Sequence, residues 1–303
     1  MSQWITQIAT SYRGAVAAFA GGGELEGRVF LWNLATGSRE ADLTTEFDMG
    51  GRRLAINQTG SRRAVGSWNG RSLSLHNVLT ETLSWRHAEM EKVEGVAFSL
   101  DDAHVYCHFG EDRMMEFREA DGETARFRPT VADLRGVEEY WESPFDPLCV
   151  RVPWPDPLNR ITVMTTRHSP VARIRRKTFG FLDYAFAQGP LCVSDSTGPV
   201  SCYHLRTGDE LWTFDPGKGV HALNVAWVQS AGCFAALTYS YQPDGEHTIY
   251  LLDAAIGKPI AAHPLPPACP HAFAHSGEWV VAADGSVTDT LTAKRLRTLP
   301  LFE

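Results

Sequence analysis

Between Pro199 and Phe214 the chain reads PVSCYHLRTGDELWTF, and no other stretch limits its folding choices as tightly. Apolar and polar residues alternate from Val200 to Leu205, Thr207-Gly208-Asp209 supplies a turn, and Leu211 opens a second extended run. A period of two belongs to strands, and a glycine-containing break between two such runs predicts an antiparallel hairpin. Weaker copies stand at 27–43 (GRVFLWNLATGSREADL), 112–127 (DRMMEFREADGETARF) and 247–262 (HTIYLLDAAIGKPIAA). Their turn glycines are Gly37, Gly122, Gly208 and Gly257, and the first two gaps, 85 and 86 residues, are twice a period near 43.

A repeat in the forties with room for four strands predicts an all-β chain: a seven-bladed β-propeller of four-stranded antiparallel blades. One such sheet cannot bury both faces, whereas seven packed radially can. The whole of 1–303 reads as one domain, with blades near 3–44, 45–89, 90–130, 131–178, 179–217, 218–264 and 265–303. The fourth unit is irregular, because Pro153-Trp-Pro-Asp-Pro157 cannot donate to a ladder and must project as a loop. A second long loop is expected over Tyr239–His247. Phe19, Phe98, Phe186, Trp227 and Phe273 recur on strands and are expected to pack between blades. All seven units look complete, so no strand exchange between the two ends is expected.

Leu31-Trp32-Asn33-Leu34-Ala35-Thr36-Gly37 resembles the third-strand ending of a WD40 repeat, with Asn33 where aspartate is usual. Leu205-Arg206-Thr207-Gly208-Asp209-Glu210-Leu211-Trp212 is equally similar to a repeat of quinoprotein type. The resemblance to these two propeller superfamilies covers almost the whole chain and implies the fold. There is no Gly-His dipeptide, so the histidine of the usual WD40 hydrogen-bond tetrad is missing. Nor are there adjacent cysteines or the carboxylate cluster of the quinoprotein enzymes. Function belongs to sites and not to folds.

A net charge of −8 makes a nucleic-acid backbone a poor partner. No apolar run reaches the length of a membrane-crossing helix, and 1–23 lacks the pattern of a signal peptide, so cytoplasmic location is the expectation. The six cysteines form no C-x-x-C pair. Cys107, Cys149, Cys192 and Cys233 lie 42, 43 and 41 residues apart, which predicts equivalent places on inner strands as buried reduced thiols.

No nucleophile elbow, phosphate loop or dinucleotide fingerprint is present, and Gly21-Gly22-Gly23 reads as a blade loop. His104 with His108, and His271 with His275, are spaced four apart on strands, which separates their rings by roughly 13 Å and rules out one shared metal. No catalytic residue, cofactor or metal is therefore assigned. Asp195 and Asp284 end second strands in similar positions. They read first as turn residues, and as channel-mouth carboxylates of a hydrolase or lactonase in the alternative reading. A small-ligand or sugar sensor is a third reading. Arg173, Arg175, Arg176 and Lys177 read as charge protecting an outer edge, or as a surface for an acidic patch.

Aromatic residues carry the leading functional expectation. Loops between second and third strands emerge on one face of a propeller. Trp68, Trp154, Tyr239 and Tyr241 would share that surface, with Asp156 beside Trp154 and Trp141 near the end of an inner strand. Tryptophan and tyrosine dominate protein interfaces. The expectation is a non-catalytic, monomeric interaction module that binds another protein, as a scaffold or as an immunity-type neutraliser.

Overall fold

The computed structural model describes residues 3–25, 27–44, 53–67, 72–88, 93–109, 113–127, 137–153, 160–165, 169–175, 182–195, 198–240, 245–266 and 271–302. These residues form seven four-stranded antiparallel sheets, each a meander of consecutive strands. The sheets span 3–44, 53–87, 93–127, 137–175, 182–214, 220–265 and 271–298, and are the seven blades of a β-propeller. Within each blade the strands run inner, second, third and outer.

The third strand ends by the same local chemistry in several blades. The Asn33 side-chain oxygen accepts from the amides of Ala35 (3.0 Å) and Thr36 (3.1 Å), and the Gly37 amide donates back to the Asn33 carbonyl (2.8 Å). The Asn77 and Asp253 side-chain oxygens accept from the matching turn amides in the same way. Such a turn puts the residue four beyond the Asx in the left-handed region, where glycine is at ease. Gly37 and Gly257 adopt φ of 76° and 66°, but Glu81 (55°) and Ala293 (53°) hold the matching place in blades 2 and 7.

Every outer strand then carries a bulge at one fixed point. In blade 5, Glu210 faces Tyr203 and Trp212 faces Cys202, leaving Leu211 unpaired. The other six outer strands shift register at the same step. A bulge twists an edge away from further pairing, so the rim is protected without relying on charge. Simple alternation could not reveal it, because the extra residue is the second of each outer strand and leaves only one residue before it to show the change of phase.

Neighbouring blades meet through side chains. Between blades 5 and 6, Trp212 leaves the outer strand of one and packs edge-on against Phe234 of the other, with ring centroids 6.0 Å apart. Its indole Nε1 donates to the Ala254 carbonyl (2.9 Å), and the ring lies over Gly257, where a Cβ would come within 2.4 Å of it. Trp85 repeats this between blades 2 and 3, donating to the Glu119 carbonyl (2.8 Å) beside Gly122. By strand register the matching residues between blades 1 and 2 are Ala41, Arg63 and Glu81 in place of Trp212, Phe234 and Gly257. Arg63 is fully buried, and none of its guanidinium nitrogens has a hydrogen-bond partner among the described residues. The five expected aromatics do pack at seams: Phe19 between blades 1 and 7, Phe98 between 2 and 3, Phe186 between 4 and 5, Trp227 between 5 and 6, and Phe273 between 6 and 7.

The ring closes without exchanging a strand. Ile5, Phe19, Phe30 and Trp32 of blade 1 form one core with Ala274, Val281 and Val287 of blade 7 and with Leu299 and Leu301. The Thr10 hydroxyl donates to the Phe273 carbonyl (2.6 Å), and the Ser276 amide to the Tyr12 carbonyl (2.9 Å).

Three expectations need correction. The four regularly spaced cysteines lie on second strands, not inner ones. They hold different steps of those strands: fourth for Cys107, second for Cys149, third for Cys192 and first for Cys233. Loop lengths differ between blades, so equal spacing in sequence is not equal register. Tyr239 and His247 are strand residues paired with each other, which shortens the sixth-unit loop. The inner strand of blade 7 stops at Ala274, and His275 turns away with φ of 50° to stack on Trp279 at 4.6 Å.

Candidate interaction face

Successive turns of a meander alternate between its two ends. Inner-to-second and third-to-outer turns share one end of the ring; second-to-third loops share the other. The first end is stitched across the seams. Asp102 of blade 3 accepts from the Asn57 side chain (2.9 Å) and the Gln58 amide (2.8 Å) of blade 2. Glu142 of blade 4 accepts from the Leu100 amide of blade 3 (2.9 Å). Asp146 of blade 4 accepts from the Gly189 amide (3.3 Å) and Arg206 (3.2 Å) of blade 5. Glu278 of blade 7 takes the amide (3.1 Å) and hydroxyl (2.8 Å) of Ser230 in blade 6. Acceptors at this end are thus engaged in holding the ring.

The loop end differs. Trp68, Trp154, Asp156 and Tyr241 lie outside the described residues. Trp141 has a described backbone, opposite Val150 and next to the last residue of its strand, which puts it toward the stitched end and away from the second-to-third loops. Tyr239 does lie at the loop end, opposite His221, with its ring 5.0 Å from His247. His247 in turn faces His271 of blade 7 at 4.7 Å. Burial holds both imidazoles below the usual histidine range, His271 at about 4, with His247 adding to the effect and Asp284 opposing it. This is a neutral aromatic cluster at neutral pH.

Asp195 is the buried last residue of its second strand, and Asp284 sits in the next-but-one blade at the same end. The Asp284 carboxylate accepts from the Ser286 amide (2.8 Å), the work of a turn residue. Among the described residues no three histidine, cysteine or carboxylate side chains converge as a metal site.

Sequence reading passed over Trp4. Trp4 is the second residue of the blade 1 inner strand, at the loop end, and half its surface (49%) is open. Its indole lies against Gly22, where a Cβ would come within 2.4 Å of Nε1. The signal was available, but Gly21-Gly22-Gly23, expected as a blade loop, is instead the end of the opposite strand, stripped of side chains so that an aromatic can lie on it.

No protein-family model matches the chain, and no curated protein sequence matches it. Many solved structures do. A chain of the mitotic checkpoint complex crystal structure superposes with a TM-score of 0.70 at 14% identity, covering 92% of this chain and 83% of that one. U3-55K gives 0.70 at 12%, covering 93% and 88%. The dihydro-heme d1 dehydrogenase NirN gives 0.66 at 16%, covering 98% of this chain and 66% of that one. Identities of this size carry architecture and nothing finer: the chain is a seven-bladed β-propeller.

Proposed function

We propose that the chain is a non-catalytic interaction module that binds another protein through the loop end of the ring. The observation that carries this reading is Trp4, a half-exposed tryptophan seated on a glycine strand at that end. A large aromatic left open on a rigid support is the usual anchor of a protein interface. Trp68, Trp154, Asp156, Tyr239 and Tyr241 complete the proposed face, and the proposal includes a scaffold or immunity-type role in the cytoplasm, as a monomer. The mitotic checkpoint complex, from which one structural neighbour comes, is an assembly in which a propeller takes part. The hydrolase reading gains nothing from Asp284, whose carboxylate is engaged by its own turn.

The test is capture from lysate of the source cells by the tagged full chain, read by mass spectrometry. A second bait carries Trp4→Ala, Trp154→Ala and Tyr241→Ala. A third carries Leu79→Ala, which removes an exposed side chain (77% open) from a turn of the stitched end. One dominant protein held by the parent and by Leu79→Ala, and lost from the triple variant, supports the module and its face. An empty parent lane, or equal capture by all three baits, overturns it.

A further inference from the structure

Cys192 and Cys202 stand directly opposite each other on the second and third strands of blade 5. Directly opposed residues of an antiparallel pair point to the same face. Both side chains lie in the core between blades 5 and 6, fully buried among Trp212, Phe214 and Phe234. Their pair type can be read from the ladder. The Leu205 amide donates to the Gly189 carbonyl (2.8 Å), one step beyond the Pro190–His204 pair. Bonded and non-bonded pairs alternate along an antiparallel ladder. Gly189–Leu205 is bonded, Pro190–His204 is not (proline has no N–H to give), Leu191–Tyr203 is bonded, and Cys192–Cys202 is not. Non-bonded pairs bring their Cα atoms to about 4.5 Å, inside the roughly 4.4–6.8 Å that a disulfide spans.

We propose that Cys192 and Cys202 are a cross-strand dithiol site, joined as a disulfide when the chain folds in an oxidising environment and kept as two thiols when it folds in a reducing one. With a small disulfide such as oxidised glutathione as oxidant, one cysteine thiolate attacks it and releases one glutathione thiol. The second cysteine then displaces the other glutathione from the mixed disulfide. The balance is two protein thiols and one glutathione disulfide consumed, one protein disulfide and two glutathione thiols formed. Only a thiolate can attack. Burial raises Cys192 well above the ordinary thiol range, with Cys202 and Asp183 adding to it, and burial pushes Cys202 up to about 12. Exchange therefore belongs to the folding chain, and the closed blade preserves whichever state it was folded in. Cys107, Cys149 and Cys233 face Met115, Met164 and Asp253 across the third strand and have no such option.

The experiment refolds the full chain from denaturant with excess oxidised glutathione or with dithiothreitol, then counts thiols by maleimide mass-tagging after unfolding. Of the six cysteines, the oxidised sample should retain two fewer thiols than the reduced one. Cleavage before Asp195, between the two residues, should leave the halves joined until a reductant is added. Cys202→Ala should lose no pair of thiols to a protein disulfide. Protein folded first under reduction and then given the same oxidant should keep the Cys192 and Cys202 thiols over the time in which refolding oxidises them. An unchanged count after oxidative refolding, or a link between other cysteines, overturns the site. Equally fast oxidation of the folded protein overturns its shielding. If Cys202→Ala does not fold, the peptide link in the parent decides alone.

Discussion

Two seams of this ring use the same three positions and fill them in opposite ways. Between blades 5 and 6 they hold Trp212, Phe234 and Gly257: a bulky ring, a second ring and a turn with no side chain in the way. Between blades 1 and 2 they hold Ala41, Arg63 and Glu81. The small alanine leaves room that a long arginine enters from the other side, and Glu81 is the charge that favours its protonated form. Burial still pulls the Arg63 guanidinium down to about 10. Equivalent positions are thus filled by two aromatic rings at one seam and by a buried guanidinium at the other. A blade array therefore leaves open which chemistry does the burying at a seam.

The contrast breaks or sharpens by measurement. Trp212→Ala removes the indole and its hydrogen bond, and should cost about 3–5 kcal/mol in urea unfolding. A cost below about 1 kcal/mol would mean that the ring is not the anchor of its seam. Arg63→Met keeps the volume and discards the buried charge, so it should raise stability by about 1–4 kcal/mol. A loss instead would show that Arg63 has a partner whose removal matters more than its desolvation. At the turns, Gly257→Ala should destabilise by at least about 1–2 kcal/mol from its backbone alone, with the Trp212 ring making matters worse. In the Arg63→Met background, where Glu81 no longer faces a buried charge, Glu81→Gly should gain a few tenths to about 1 kcal/mol once glycine's own entropy is counted.

The smallest effect is a difference in pH response. At the 5/6 seam Asp183 accepts from the Asn224 side chain (3.2 Å) and the Val225 amide (3.0 Å), and burial raises it from 3.8 to about 6. Its contribution is full below 3.8 and is lost as pH rises through about 6. At the 1/2 seam His76, opposite Arg63, is held down from 6.5 to about 4 by burial and then by that charge. Its contribution is full above 6.5 and is lost as pH falls through about 4. The two oppose each other over the same window, so urea midpoints followed from pH 4 to pH 7 should slope upward in Asp183→Asn, where His76 acts alone, and downward in His76→Gln, where Asp183 does. Equal slopes in parent and variants would contradict both assignments.

Strand order, turn positions and the lack of exchange between ends were legible in the sequence because each depends on local pattern: alternation, glycine spacing and Asx residues such as Asn33. Three-dimensional register was not legible. The cysteine spacing pointed to equivalent sites, whereas the pairing that matters, Cys192 with Cys202, joins residues ten apart in one blade. Arg63 looked like one of two ordinary strand arginines, since nothing local says which of Arg62 and Arg63 faces a seam. The aromatic face was legible only as a class of residue at a class of loop. Trp4 escaped notice because its importance lies in what the opposite strand lacks.

Each sheet is one unbroken stretch of chain, so six seams can close before Leu299 and Leu301 are made. The seventh needs both of them. Until they emerge, Ile5, Phe19, Phe30 and Trp32 form a naked apolar flank on a blade that is otherwise finished. The interval between completing blade 1 and making Leu301 is the period of greatest exposure to misassembly, and the time at which a nascent-chain chaperone has most to protect.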